Sequence, residues 1–306
     1  MVNTPPQPRA FRSKWVTFDC YGTLVDWHSG FTAILNPVAG EETTGLLHAY
    51  HRFEPRVEAE RPHRSYREVL TTSLLLAAKE IGLSLTEAQA LRLPEQWGSL
   101  PVFGDVEDAL TAIRTNGFKL AVLTNCDEDL FVQTQRSFRQ KFDLVTTAER
   151  VHAYKPSLAH FRCFQTMTAV DAADWVHVAS SWFHDIAPAR ELGIKHVWLD
   201  RENAGDHANE LCLSVTSAES LPKAIAEIVP KHFPYAIPLC SGDRKLLRRN
   251  RFSEMRASPV QCRPQPLFSD RLRHSEFSSH VPEPDDGCLT WYILCGKTIE
   301  SKQWLP

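Results

Sequence analysis

No stretch of this chain is both apolar and long enough to span a bilayer, and prolines interrupt the leader MVNTPPQPRAFRSK where a signal peptide needs a continuous apolar segment. A cytoplasmic protein with no membrane contact is the expectation. Positive charge is not in excess: 34 Lys and Arg face 37 Asp and Glu, for a formal net charge of -3. That balance excludes a general nucleic-acid binder, which presents a basic face. The eight cysteines (Cys20, Cys126, Cys163, Cys212, Cys240, Cys262, Cys288, Cys295) form no C-x-x-C pair and no zinc-like spacing, so free thiols are expected. Internal repeats are also missing. These exclusions leave a small molecule as the partner, with a homodimer allowed.

With 306 residues, 43% of them hydrophobic and 23% charged, the chain has room for a full α/β core and an inserted smaller domain. Trp15–Asp19 reads as a strand ending abruptly on an acid, followed by the turn-forming Tyr21-Gly22-Thr23. From about Phe31 to Ile81 the apolar spacing becomes helical, with Leu46, Leu47 and Tyr50 on one face and Val69, Leu70, Ser73, Leu74 and Ala77 on another. From Asp105 onward helix and strand alternate. Helices are expected at Val106–Asn116, Asp129–Phe138, from Pro156 towards Met167, and at Ile186–Leu192. Strands are expected at Lys119–Thr124, near Asp143–Thr146, at Trp175–Ala179 and, last, at His196–Leu199. Such alternation implies a parallel sheet covered by helices. Beyond an amphipathic Leu221–Val229 the chain turns rich in Ser, Pro and Arg, and its cluster Arg244, Lys245, Arg248, Arg249, Arg251 reads as part of a solvated, disordered tail.

Four strand ends carry unusual polar residues: Asp19; Thr124-Asn125; Tyr154-Lys155; and Ser180-Ser181 with Asp185 close behind. In a parallel sheet all four lie at one edge, where such sheets bind ligands. Singly, each has a bland reading as a cap, a loop lysine or a first-turn acid. Together they place a carboxylate nucleophile, an amine, a hydroxyl-amide pair and a second carboxylate within one crevice.

These residues resemble the haloacid dehalogenase superfamily. Asp19-Cys20-Tyr21-Gly22-Thr23-Leu24 is similar to its D-x-x-G-T motif, Thr124 to its second, Lys155-Pro156 to its third, and Ser181 through Asp185 to its acidic fourth. The resemblance implies a Rossmann-like, doubly wound parallel sheet with a helical cap inserted after the first strand. The domains expected are a leader at 1–14, a core at 15–29 and 100–233, a cap at 30–99 and a tail at 234–306. It also implies chemistry. Asp19 forms a covalent ester, Lys155 keeps it ionised, Asp185 orients water or Lys155, and Thr23, Thr124, Asn125, Tyr21 and Ser181 bind nucleophile or substrate.

Tyr21 discriminates within the superfamily. Its phosphatases carry a second Asp two residues after the nucleophile to protonate an alkoxide, whereas a halide leaves without a proton. The expectation is hydrolysis of a small 2-haloacid without a cofactor, with Arg52, next to His51, holding the substrate carboxylate from the cap. The alternative is a phosphatase using Mg²⁺ on Asp19 and Asp185. A non-catalytic binding scaffold is a third reading. A triad of Ser180 or Ser181 with His184 and Asp185 is set aside because neighbouring side chains diverge and no G-x-S-x-G elbow exists. His207 and Glu210 read as a solvated loop, and Cys20 as core packing.

Overall fold

The computed structural model describes residues 13–203, 205 and 212–229. The leader up to residue 12, His207, Glu210 and the tail with its basic cluster lie outside the described residues.

Among the described residues, six parallel strands form one sheet in the order β3-β2-β1-β4-β5-β6. They are β1 (Lys14–Phe18), β2 (Phe118–Thr124), β3 (Leu144–Thr147), β4 (Trp175–Ala179), β5 (Lys195–Leu199) and β6 (Leu213–Val215). Both faces are covered, so alternate side chains feed two apolar layers. Val16, Phe18, Leu120, Val122, Val176 and Val178 pack on one side; Trp15, Ala121, Leu123 and Trp175 meet Phe161 and Phe164 on the other. The strand order reverses direction between β1 and β4, which opens the ligand crevice of such sheets there.

The core chain leaves at Val25 and returns at Val102, where an antiparallel bridge closes the insertion. Hydrogen bonds from Asp26 N to Pro101 O (2.8 Å) and from Phe103 N to Leu24 O (3.0 Å) flank that bridge. The helices of the insertion are α1 (Trp27–Ala39), α2 (Thr43–Glu58), α3 (Tyr66–Glu80), α4 (Glu87–Ala90) and α5 (Arg92–Glu95). Asp26 caps α1 by accepting from Ser29 N, so the insertion begins before residue 30. Leu46 and Tyr50 of α2, and Val69, Leu70, Ser73, Leu74 and Ala77 of α3, are buried as their spacing predicts. Ser65 and Glu68 form a capping box at the start of α3. Asp127 of the core accepts from Tyr66 N (2.7 Å) and Arg67 N (2.9 Å) at the same helix end, tying the insertion to the sheet edge.

The remaining helices are α6 (Val106–Thr115), α7 (Glu128–Gln135), α8 (Ala148–Val151), α9 (Ala159–Thr168), α10 (Ala187–Glu191) and α11 (Leu221–Ile228). Three differences from the sequence expectations matter. The helix expected from Pro156 starts at Ala159, because a turn closed by Ser157 N on Tyr154 O (3.0 Å) intervenes. The helix expected from Ile186 is preceded by a π-turn over Trp182–Ile186. And β5 is not the last strand: β6 pairs beside it, too short at three residues to carry a period.

Candidate active site

Asp19 is the residue after β1, and its N–H donates to Val178 O (3.0 Å), so the ladder to β4 continues until the acid turns out of it. Gly22 then takes a left-handed φ of 89°, a conformation that costs glycine nothing. The turn brings Thr23 back beneath the carboxylate. Thr23 Oγ1 donates to Asp19 Oδ2 (2.7 Å) and accepts from Ser180 N (2.9 Å), linking the first and fourth strand ends.

Lys155 Nζ donates to Asp19 Oδ1 (2.8 Å), Asp185 Oδ1 (2.7 Å) and Leu123 O (2.9 Å). Burial opposes its charge, yet the two carboxylates more than compensate and hold the ammonium well above the usual lysine range. Burial likewise works against the Asp185 carboxylate, but Lys155 and the hydrogen bond from His177 outweigh it and bring Asp185 down to about 2. The exposures differ in a way that assigns roles. Side-chain exposure is 12% at Asp19 and only 1% at Lys155 and Asp185, so Asp19 alone of the three presents an oxygen to a substrate.

The other expected site residues divide. Asn125 pairs with the Lys155 backbone in both directions, accepting from Lys155 N (2.7 Å) and donating to Lys155 O (3.2 Å); it sets the lysine's place. Thr124 is buried, its hydroxyl on Cys126 Sγ (3.7 Å). The Tyr21 hydroxyl meets Thr134 Oγ1 (3.0 Å) in α7, so it is committed to the core. Ser181 caps the π-turn, accepting from His184 N (3.1 Å), and its Oγ lies 2.9 Å from His184 Nδ1. Those two side chains do meet, contrary to the expectation of divergence. No triad results, because Asp185 bonds Lys155 and His177 instead of His184.

Arg52 is not brought to the site. It is exposed on α2, pairs with Glu80 of α3 and donates to His48 O (3.1 Å). His51 does not replace it as a cation. Packed on Trp27 (4.9 Å) and His28 (5.2 Å), it is pushed down to about 4 by burial and by the neighbouring histidines His28 and His48. The cap offers carboxyls instead. Glu54 Oε1 accepts from Tyr50 (2.8 Å) and Tyr66 (2.7 Å), and burial raises its pKa against those two hydrogen bonds. Glu58, one turn further, lies within reach of Lys155 and the Asn125 amide; burial, then the Glu54 charge, raises it well above the usual range.

Sequence reasoning missed His177, Thr17, Arg201 and Asp105. Arg201 donates to Thr23 O through Nε (3.2 Å) and Nη2 (2.8 Å) while its Nη1 grips both oxygens of Asp105, fixing the turn that carries Thr23. A half-buried arginine-carboxylate pair leaves no periodic signal. Cys20 is buried in the core as expected, and the described cysteines are free thiols.

The donor set does not fit a divalent cation. Three of the four oxygens of Asp19 and Asp185 are already hydrogen-bonded, an ammonium stands between the two carboxylates, and Asp185 Oδ2 alone lacks a partner. Mg²⁺ requires a near-octahedral set of oxygens. Among the described residues no group of three or more His, Cys, Asp or Glu is placed to share an ion, and no helix is long and apolar enough to cross a membrane. What the arrangement can do is attack with Asp19, held by one cation and one hydroxyl, beside a second, buried carboxylate.

Comparison with known proteins bears on this geometry. A family model described as haloacid dehalogenase-like hydrolase matches residues 14–193. The (S)-2-haloacid dehalogenase of Pseudomonas sp. (strain YL) is 25% identical over 193 residues, 61% of this chain and 83% of that enzyme. Haloacetate dehalogenase H-2 of Moraxella sp. (strain B) is 24% identical over 197 residues, 61% and 85% of the two chains. The structure of L-2-haloacid dehalogenase from Xanthobacter autotrophicus, with chloropropionic acid covalently bound, superposes with a TM-score of 0.60 at 17% identity, covering 70% of this chain and 98% of that one.

Proposed function

The chain belongs to the haloacid dehalogenase-like hydrolases, and from that premise we propose that it hydrolyses the carbon–halogen bond of a small organic halide through an ester at Asp19, without a metal. The observation that carries this reading is the setting of Asp19: more exposed than Lys155 and Asp185, and fixed at Oδ1 by Lys155 and at Oδ2 by Thr23. The relatives named as 2-haloacid and haloacetate dehalogenases support the bond class.

In the first step an Asp19 oxygen attacks the carbon bearing the halogen; the carbon–halogen bond breaks and halide departs with its electron pair. No proton is needed, which agrees with a tyrosine whose hydroxyl is turned to Thr134 where a phosphatase has its acid. In the second step water attacks Asp19 Cγ. Asp185 takes one proton from the water and returns it to the departing alkoxide as the Cγ–O ester bond breaks, and the Asp19 carboxyl gives its remaining proton to solvent, restoring the carboxylate. Lys155 stabilises negative charge in both steps.

The starting substrate is a 2-haloacid, and the test is a panel of 2-haloalkanoates, the matching haloamides and phosphate monoesters, each with Mg²⁺ and with chelator. Halide release that survives chelator and vanishes in Asp19→Asn is the expected result. Metal-dependent phosphate release with no halide would assign the protein to the phosphatases instead.

A further inference from the structure

The parallel register of β1 and β4 sets Thr17 opposite His177, and both side chains are completely buried in the layer beneath the site. A histidine in a central strand needs two partners, because each ring nitrogen buried alone is costly. Here both nitrogens are satisfied. His177 Nε2 lies 3.1 Å from Asp185 Oδ1, and Nδ1 lies 2.9 Å from Thr17 Oγ1. Trp175 Nε1, two residues before His177 on β4, donates to that same Thr17 oxygen (2.8 Å).

The proton assignment follows from the ends of this chain. Asp185 is an ionised acceptor, so Nε2 carries the hydrogen and donates to it. Indole N–H only donates, so Thr17 Oγ1 accepts from Trp175; its own hydrogen has two acceptors in reach, Nδ1 at 2.9 Å and Val176 O at 3.4 Å, and the shorter contact favours Nδ1. Every group then has one consistent role. The tautomer of His177 is fixed from below the sheet, and Phe161, 4.9 Å away between ring centroids, packs the imidazole edge-on.

The consequence lies at Asp185. Oδ1 accepts from both Lys155 and His177, while Oδ2 is buried and has no hydrogen-bond partner. Take His177 away and nothing but Lys155 holds the carboxylate, which is then free to rotate and offer both oxygens to the ammonium. With His177 in place, Oδ2 stays unengaged. The π-turn over Trp182–Ile186, closed by Ile186 N on Ser181 O (3.3 Å), supplies the backbone path that brings Asp185 back over its own strand.

We infer that His177, held by Thr17 and Trp175, is a positioning residue that reserves Asp185 Oδ2 for the water that hydrolyses the Asp19 ester. This rests on the ester mechanism proposed above. It assigns His177 to the second step and not to the first, because the contacts of Asp19 itself, to Lys155 and Thr23, do not involve the ring.

Rapid-quench kinetics on the full chain, with 2-chloropropionate and 2-chloropropionamide and mass spectrometry of the Asp19 peptide, separate the two steps. In His177→Leu the burst of halide persists while kcat falls about 10- to 100-fold, the Asp19 ester accumulates, and KM falls with kcat. His177→Gln keeps an N–H near the place of Nε2 and recovers part of that loss. Thr17→Val, nearly isosteric, gives the same pattern more weakly and stands in should His177→Leu fail to fold. In the wild-type protein, imidazole ¹⁵N shifts show the hydrogen on Nε2. A kcat unchanged in His177→Leu, a halide burst that falls in parallel with kcat, or a wild-type ring protonated at Nδ1 alone would overturn this inference while leaving the dehalogenase reading standing. Wild-type protein that releases no halide from any member of the panel would overturn the dehalogenase reading and this inference with it.

Discussion

At the scale of single residues, the site is an electrostatic balance of one ammonium and two carboxylates in a space nearly closed to water. Replacing Lys155 with Met leaves two buried acids facing each other without their cation. Removing one partner of a buried ion pair costs about 3–5 kcal/mol, so the expected result is a loss of that size in denaturant titration together with loss of turnover. Arg52 sits at the other extreme. Its pairing with Glu80 is solvent-exposed and worth about 1 kcal/mol at most, and it lies outside the crevice. Arg52→Ala therefore leaves KM for 2-chloropropionate within about twofold of wild type; a tenfold rise would place this arginine at the substrate. Glu54 and Glu58, the cap groups towards Lys155, are carboxyls, and neither His51, neutral above pH 5, nor Arg52, paired with Glu80, offers a substrate carboxylate a cation. It follows that 2-chloropropionate and 2-chloropropionamide are turned over with kcat/KM values within about tenfold of each other, since the missing ion pair removes the roughly 1.4 kcal/mol per decade that selectivity requires. Steady-state kinetics on the two compounds decide the matter.

At the scale of elements, packing of the insertion on the core depends on close approaches that only small residues allow. A Cβ on Gly30 in α1 would stand 2.2 Å from Leu100 Cδ2 and 3.1 Å from Pro101 Cδ, where the chain returns to the core. Gly30→Ala gains about 1 kcal/mol of helix propensity and meets an overpacking cost of up to about 3 kcal/mol, so a net destabilisation of about 1–2 kcal/mol is expected in urea unfolding. The elements themselves were largely legible in the sequence. Asp19, Lys155 and Asp185 stood out because an acid or lysine at the end of an apolar strand breaks the pattern, and three such breaks at one sheet edge converge by topology. Thr17 and His177 stayed hidden for the complementary reason: a polar residue inside a strand looks like ordinary alternation until the register shows it facing another polar residue. Asn125 and Ser181 read as substrate ligands, yet their side chains are used on the Lys155 backbone and on His184, choices set by turns whose geometry is not written in periodicity. The direction of Arg52 depended on Glu80, a helix away.

At the scale of the whole molecule, buried neutral histidines contribute to the acid limb of stability. His160, in α9 beneath the site, keeps Nε2 3.2 Å from Thr124 O and is pushed down to about 3, first by burial and then by Lys155. Its pKa in the folded chain lies below its unfolded value near 6.5, so the unfolded chain takes up a proton that the folded chain refuses. The stability this neutral ring contributes is fully present above pH 6.5 and declines as pH falls towards 3, at about 1.4 kcal/mol per pH unit. His51, brought to about 4, adds to the same trend between 6.5 and 4. Glu54 and Glu58 act the other way. Their raised values mean that the folded state binds protons first, so their contribution is greatest at low pH and is lost as pH rises through those values. The net curve mixes both signs, but a single substitution separates them. His160→Gln removes the titrating ring while an amide N–H remains to serve Thr124 O. Its deficit in Tm relative to wild type should therefore shrink as pH is lowered from 7 to 5. A deficit that stays constant over that range would mean that the His160 ring takes up its proton equally in the folded and unfolded chain.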